Sequence, residues 1–374
     1  MSMKPRIAII GDFPIGKIYS KFPDRVSSYP TWLFNLYKGF ATAQDYDIHW
    51  IIADKQIKEK EVYRSENQTF HLLPATSLTV GLYTGYILNR WRIMRCIKSI
   101  RPDIVHSWGT ERFYSFVTKD FNGKTLLSIQ GLLKAYGQRA RISPFEKKHS
   151  LYEDGIIRAA KFITTESPWA ADRVREVAPH ANIMHWEYAA EEEFSLITRE
   201  LEEAPSCLLI GNNTPVKNVQ LAIKAFSNSA LKHVKLYLAG IPESSYPGRT
   251  ENIIPLGKLD RQSLLSYMKK TWALVHTSLA DTGPTVVKEA RVAGLPVILT
   301  TDCGSKQHVD EGESGFILQP NDEQALINAV LKLTESKNVS ISMGAHQREQ
   351  CQEKLSIKTM VSRILEIYNL IISN

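Results

Sequence analysis

The sequence predicts an α/β protein built as two successive doubly wound domains that face each other across a cleft. Three observations carry that prediction. Apolar runs of four to six residues alternate with helix-length amphipathic stretches, the rhythm of βαβ units and parallel sheets. The rhythm stops at a polar, acidic stretch, Thr198–Pro205, and then begins again. At 374 residues, with 43% hydrophobic and 23% charged side chains, the chain exceeds one ordinary core and has apolar material for two.

In the first half, strands are expected at Arg6–Ile10, Ile48–Ile52, Ile104–His106, Thr125–Ile129, Phe162–Thr165 and Ile183–His185. Helices such as Trp32–Thr42, Tyr86–Ser99 and Trp169–Val177 lie between them. The second series opens at Cys207–Ile210 and continues with strands Lys235–Ala239, Trp272–His276 and Pro296–Thr300. Its helices are expected at Val219–Phe226, Arg261–Lys270, Thr285–Ala293 and Glu323–Thr334. The domains would therefore span residues 1–196 and 205–355. Residues 356–374 carry the amphipathic segment Ile357–Ile372, free to pack on either domain, including back on the N-terminal one. Ligands of open α/β sheets sit outside the carboxyl ends of the strands, so the interdomain cleft is the expected site.

Composition narrows the function classes. No run approaches eighteen apolar residues, so no transmembrane helix is expected. The opening Met-Ser-Met-Lys-Pro-Arg lacks a signal peptide's apolar core, which predicts a cytoplasmic chain, peripheral at most to the inner face of a membrane. Cys96, Cys207, Cys303 and Cys351 stand far apart with no CxxC and no His ladder, the pattern of reduced thiols and not of a zinc site. Residues 1–175 hold 27 Lys plus Arg against 16 Asp plus Glu, a net +11, whereas the remainder nets −4. A basic first half suits nucleic acid, an anionic membrane or a phosphorylated acceptor, or is a scattered solvated excess.

The most informative stretch runs from Asp281 through Thr282-Gly283-Pro284-Thr285-Val286 and Glu289 to Gly294-Leu295-Pro296-Val297. It reads as strand, loop, helix, turn, strand: Pro284 suits a helix entry and Gly294 a helix stop. Backbone N–H groups at Gly283, Thr285 and Val286 would form an anion site for a diphosphate. Glu289, about one turn into the helix, is placed to accept from a ribose diol, and Asp281 in the preceding loop to reach a hexose.

This segment resembles the Glu-x7-Glu signature of retaining GT-B glycosyltransferases, family 4 (glycosyl transferases group 1), with Asp281 in the first acidic position. Gly294-Leu-Pro296-Val-Ile and Gly312-Glu-Ser-Gly315-Phe-Ile-Leu resemble the family's continuation. The resemblance implies two Rossmann-like domains, with the donor on the second and the acceptor on the first. It implies no metal and no cofactor, only a nucleotide-sugar donor and a saccharide or lipid-linked acceptor, with no nucleic acid partner. Leu208-Leu-Ile-Gly211-Asn212 and the following Lys217 are similar to the loop that reaches the donor diphosphate, Asn212 standing where the family usually has Arg. An ammonium there would offset charge developing on the leaving phosphates. Lys217 and Asp281 are the candidate catalytic pair. Glu289, Gly283, Pro284, Thr285, Val286 and Asn212, with Gly257 and Lys258 in a loop resembling the base-contacting one, are the candidate donor-binding residues.

On the acceptor side, Arg101-Pro-Asp-Ile-Val-His106-Ser-Trp108-Gly109 resembles a family strand ending near the acceptor. Gln130 and Gly131 stand where many relatives carry His, and Gln130 can hydrogen-bond a sugar but cannot act as a base. The family's first-domain Gly pair is replaced by Ser27-Ser28. Asp45-Tyr-Asp47 has an Asp-x-Asp form but precedes a strand, so turn residues are expected. Arg90–Lys98 is a basic amphipathic helix that would either touch anionic lipid or keep its basic face in water, and the basic run Lys134–Lys148 reads as a loop that would either bind an acceptor pyrophosphate or stay solvated and mobile. Two rival functions share the residues: an epimerase or hydrolase of nucleotide sugars, and a non-catalytic sugar- or nucleic-acid-binding protein.

Overall fold

The structure, a computed structural model, describes residues 4–22, 31–246 and 250–374. Ser27 and Ser28 lie outside the described residues. The first sheet contains β1 (Arg6–Ile10), β2 (Asp47–Asp54), β3 (Glu61–Ser65), β4 (Gln68–Pro74), β5 (Ile104–Trp108), β6 (Thr125–Ser128), β7 (Phe162–Thr165) and β8 (Asn182–His185). Their order is β3-β4-β2-β1-β5-β6-β7-β8, parallel except for β3, which turns back along β4. The second sheet contains β9 (Ser206–Ile210), β10 (Lys235–Ala239), β11 (Ile253–Gly257), β12 (Ala273–His276), β13 (Val297–Thr300) and β14 (Gly315–Leu318). It is parallel throughout, ordered β11-β10-β9-β12-β13-β14. Both orders reverse direction beside the first strand of their domain, which opens a crevice there at the carboxyl ends.

The central strands β1, β5, β9, β12 and β13 are buried almost throughout because helices cover both faces, so their sequences read as continuous apolar runs. The structure adds one hairpin and corrects two expectations. Glu61–Ser65 and Gln68–Pro74 form a hairpin whose outer strand alternates half-buried and exposed and so carried no apolar run. Residues 134–148 are not a loop: they enter the helices Leu133–Arg139 and Pro144–Ala159, the latter started by a capping box between Ser143 and Glu146. Ile253–Gly257 is an edge strand, where Pro255 needs no outward N–H.

The last helix, Ile357–Ser373, buries Met360, Val361, Ile364, Ile367, Tyr368 and Ile371, a single stripe at helical spacing. That stripe packs with Ile7, Leu36, Phe40 and Trp50 of the first domain. It crosses the Thr31–Phe40 helix closely at Gly39, where a Cβ would collide with Val361. Its polar ties also point into the first domain: Trp186 Nε1 donates to the Met360 carbonyl at 2.9 Å, and Tyr46 Oη to Asn369 at 2.7 Å. A chain that has crossed to the second domain thus returns to the first.

Candidate active site

Two loops at the carboxyl ends of the second sheet meet in an ion pair. The loop after β9 leaves through Gly211, which Gly240 abuts so closely that a Cβ on Gly240 would strike the Gly211 carbonyl. The loop then makes one turn of 3-10 helix, Pro215–Lys217, ended by Asn218 in the left-handed region. This puts Lys217 Nζ 2.6 Å from Asp281 Oδ2, in the loop after β12. His276 Nε2, at the end of β12, lies 3.2 Å from the same oxygen. Burial works against charge on Asp281, but the Lys217 ammonium and His276 hold its carboxyl well below the usual range. Burial also lowers the His276 pKa, so the imidazole is neutral and can donate from Nε2. Asp281 is therefore ionised and fixed in place. Asn212 is turned away from the pair: its Oδ1 accepts from the Thr214 amide at 3.1 Å and closes its own turn.

The loop from Asp281 enters the helix Thr285–Val292 with Pro284 as its cap residue and no side-chain cap. The first hydrogen bond of this helix runs from the Val287 amide to the Pro284 carbonyl at 3.1 Å, so the amides of Gly283, Thr285 and Val286 come just before it. Those three positions are half-buried at the mouth of the helix, the arrangement that receives an anion. Glu289 follows one turn later, 6% exposed. Arg261 of the helix Arg261–Lys270 reaches it at 3.5 Å while also pairing with Glu191 at 2.5 Å and Glu193 at 3.1 Å. Burial pushes the Glu289 pKa up to about 8, with Arg261 opposing. Gly257, at φ +62°, and Lys258 are exposed where β11 ends, at the same carboxyl end of the sheet. Arg261 and Glu191 carried no sequence signal, since a helical Arg and the first Glu of an acidic run look like solvated surface.

The second domain's loop is sewn to the first domain. Thr282 donates its hydroxyl to the Gln130 carbonyl, and Ser167 donates to the Thr282 carbonyl at 2.7 Å. Lys288 donates to Glu166, which also accepts from the Tyr188 amide at 2.9 Å. Burial raises the Glu166 pKa to about 7 against the pull of Lys288. Asp302 accepts from Trp169 Nε1 at 3.1 Å and pairs with Arg139 at 3.2 Å. None of Glu166, Ser167, Trp169, Lys288 or Asp302 stood out in the sequence, because partners more than a hundred residues apart leave no local pattern.

The acceptor-side expectations divide. Gln130 and Gly131 lie just after β6, where the Gln130 carbonyl accepts from the Thr282 hydroxyl. Beside them is Glu111, whose carboxyl fills the space a Cβ would need on Gly109 or Gly131, and whose pKa burial raises to about 7. His106 and Trp108 lie in the core instead. His106 is fully buried, with Nδ1 2.7 Å from the Tyr368 hydroxyl and Nε2 2.7 Å from Ser128 Oγ. Burial keeps its imidazole well below the ordinary pKa, and its ring stacks on Trp108 at 4.0 Å. Trp108 Nε1 donates to the Tyr188 hydroxyl at 3.2 Å. His106 thus serves the joint with the last helix and Trp108 packs against it in the core, and at 0% and 3% exposure neither offers a face to an acceptor. The expected strand end misled because β5 runs two residues past His106 and the returning helix sets Tyr368 against that ring.

Two groups bring His and carboxylate donors within 4.8 Å of one another: His185, Glu187 and His308, and Asp310, Glu313 and His346. Both are met by direct pairs, His308 with Glu187 at 2.7 Å and His346 with Asp310 at 3.2 Å. All four cysteines are buried free thiols. Asp47 of the Asp-x-Asp stretch pairs with Arg6 at 2.8 Å at the start of β2.

Residues 191–353 match the family model for glycosyl transferases group 1. The second domain belongs to that family. Around this group 1 domain the whole chain has the GT-B fold. It superposes on sucrose-phosphate synthase from Thermosynechococcus elongatus with a TM-score of 0.79 at 16% identity, covering 99% of this chain and 100% of that one. It superposes on WaaG, a glycosyltransferase involved in lipopolysaccharide biosynthesis, with a TM-score of 0.70 at 13% identity, covering 96% and 99%. By sequence it is similar to the capsular polysaccharide biosynthesis glycosyltransferase CapM of Staphylococcus aureus, 25% identical over 48% of this chain and 51% of the relative. It is also 28% identical to an Escherichia coli α-1,3-galactosyltransferase acting on a diphosphoundecaprenol-linked sugar, over 29% of this chain and 28% of the relative. The chain thus spans about half or less of the length of these curated relatives. No described helix is long and apolar enough to cross a membrane.

Proposed function

We propose that this chain is a retaining glycosyltransferase. It would move a hexose-type sugar from a nucleotide-diphosphate sugar to a saccharide or lipid-linked acceptor, in the synthesis of a cell-surface polysaccharide. The observation that carries the reading is the Lys217–Asp281 ion pair set at the open mouth of the Thr285–Val292 helix, with Glu289 one turn inside. An ammonium, three backbone positions that can donate and a buried carboxyl in that order match a diphosphate flanked by a sugar and a ribose. The named roles of relatives, CapM among them, support the pathway class.

In this reading Lys217 and the amides of Gly283, Thr285 and Val286 hold the diphosphate, Glu289 the ribose and Asp281 the hexose hydroxyls. The acceptor oxygen forms its bond to the anomeric carbon on the face from which the diphosphate departs. Its proton passes to the leaving phosphate oxygen, so no enzymic base is required and Gln130 needs only to position the acceptor. Lys217 and the amides offset the charge that grows on the phosphate.

A thermal-shift screen against UDP, GDP, ADP and their sugars tests the reading. A diphosphate at a hundredfold its dissociation constant stabilises by about 2.7 kcal/mol, and Lys217→Ala and Glu289→Ala should each abolish the shift. No stabilisation by any nucleotide refutes donor binding, and a product of inverted anomeric configuration refutes retention.

A further inference from the structure

Single apolar side chains on a surface are ordinary, but a gathering of them is informative. The helices Leu78–Tyr83 and Ile87–Ile100 gather five: Val80, Tyr83, Ile87, Leu88 and Trp91, between 41% and 72% exposed. Leu151, 74% exposed, joins them from the helix Pro144–Ala159. One turn before it, Lys148 holds its ammonium 3.3 Å from the centroid of the Tyr83 ring.

Ile87, Trp91, Arg95 and Lys98 succeed one another on one outer stripe, opposite the buried Ile93, Cys96, Ile97 and Ile100. The stripe passes from apolar to cationic, and Arg95 lies 5.3 Å from the Trp91 ring centroid. Its charge has one sign: residues 67–102 contain five Lys or Arg and no Asp or Glu. Arg92 and Arg95, with Lys60 from beyond β3, also line a groove of about 350 Å³ beside Trp91, Leu73 and Pro74. A helix folded only for water would turn Ile87 and Trp91 inward and leave its cations outside. Here both kinds face out together.

We propose that this face of the first domain seats on the headgroup layer of an anionic lipid bilayer. Tyr83, Ile87, Leu88 and Trp91 enter the boundary between headgroups and acyl chains, while Lys60, Arg92, Arg95, Lys98 and Lys148 meet the lipid phosphates. A second copy of the chain is a poor occupant, because a two-fold contact would set the same cations against themselves. The docking is independent of the transfer reading, since the side chains proposed to hold the donor all lie on the second domain.

Flotation of the full chain with vesicles tests this, using phosphatidylcholine alone and phosphatidylcholine mixed with phosphatidylglycerol. The chain should float with the anionic vesicles at low salt and lose much of that binding as salt rises. Ile87→Ser/Trp91→Ser should weaken the partition at least about tenfold, and Arg95→Glu/Lys98→Glu should remove the preference for anionic lipid. Both pairs are exposed, so unchanged melting temperatures would show that the fold survives. Failure to float with anionic vesicles at low salt overturns the proposal, as does equal binding by all three proteins. Self-association that Ile87→Ser/Trp91→Ser abolishes, with no vesicle binding, would give the face to a second copy instead.

Discussion

Replacing Lys288 by Met leaves a straight side chain of similar length but removes the charge facing Glu166. Lys288 is 2% exposed and Glu166 5%, and the pair joins the helix Thr285–Val292 of the second domain to the residue after β7 in the first. In the variant, the Glu166 carboxylate loses the Lys288 ammonium and keeps the Tyr188 amide, at 2.9 Å, as a donor. Breaking a buried pair from one side costs about 3–5 kcal/mol, because the remaining charge has lost its counterion. The loss depends on pH. With the Glu166 pKa already raised to about 7, the carboxyl can take up a proton in mild acid, so the destabilisation should be larger at pH 8 than at pH 5.5. Removing both charges together, as Lys288→Met/Glu166→Leu, should recover most of the loss. Scanning calorimetry at the two pH values reads all three proteins, with separate domain transitions expected in the single variant once the seam is weakened. A single variant within about 1 kcal/mol of the parent at pH 8 would refute the reasoning, since a buried unpaired carboxylate cannot be that cheap.

Two further outcomes are expected. Tyr368→Phe removes the hydroxyl that His106 Nδ1 faces at 2.7 Å, and should destabilise by about 1–3 kcal/mol in chemical denaturation while nucleotide binding in the thermal-shift screen stays unchanged. A loss of nucleotide binding at equal stability would return His106 to the ligand site. The raised pKa values of Glu289, to about 8, and Glu166, to about 7, mean that the folded state binds protons there more tightly than the unfolded chain. Their stabilising contribution is full below the ordinary carboxylate range and is lost as pH rises through 7 to 8. Melting temperature should therefore fall between pH 6 and 9, by less in Glu289→Gln, and an identical slope in parent and variant would sink that assignment. Asp281, held low, works in the opposite direction and loses its contribution only in strong acid.

The sequence by itself determined the parts whose physics is local. Strands buried on both faces must be apolar throughout, so β1, β5, β7, β9 and β12 could be read within a residue or two. The segment from Asp281 to Glu289 was legible for the same reason: a loop, a proline entry and one helical turn fix the relative places of a carboxylate, a set of amides and a second carboxylate. Tertiary structure decided everything that depends on what covers what. By its sequence the strand ends at His106, whereas β5 runs on to Trp108, and only the return of Ile357–Ser373 sets the Tyr368 hydroxyl against the His106 ring. The Glu61–Ser65 strand lies at a sheet edge with one face in water, so it lacked the apolar run by which its neighbours were found. Lys217 and Asp281 each stood out, but their ion pair joins residues 64 apart and exists only because β9 and β12 are neighbours. Lys288 and Glu166 did not stand out at all. A buried charge and its partner need no common sequence signature, since what stabilises them is distance in space, set by how two domains close on each other.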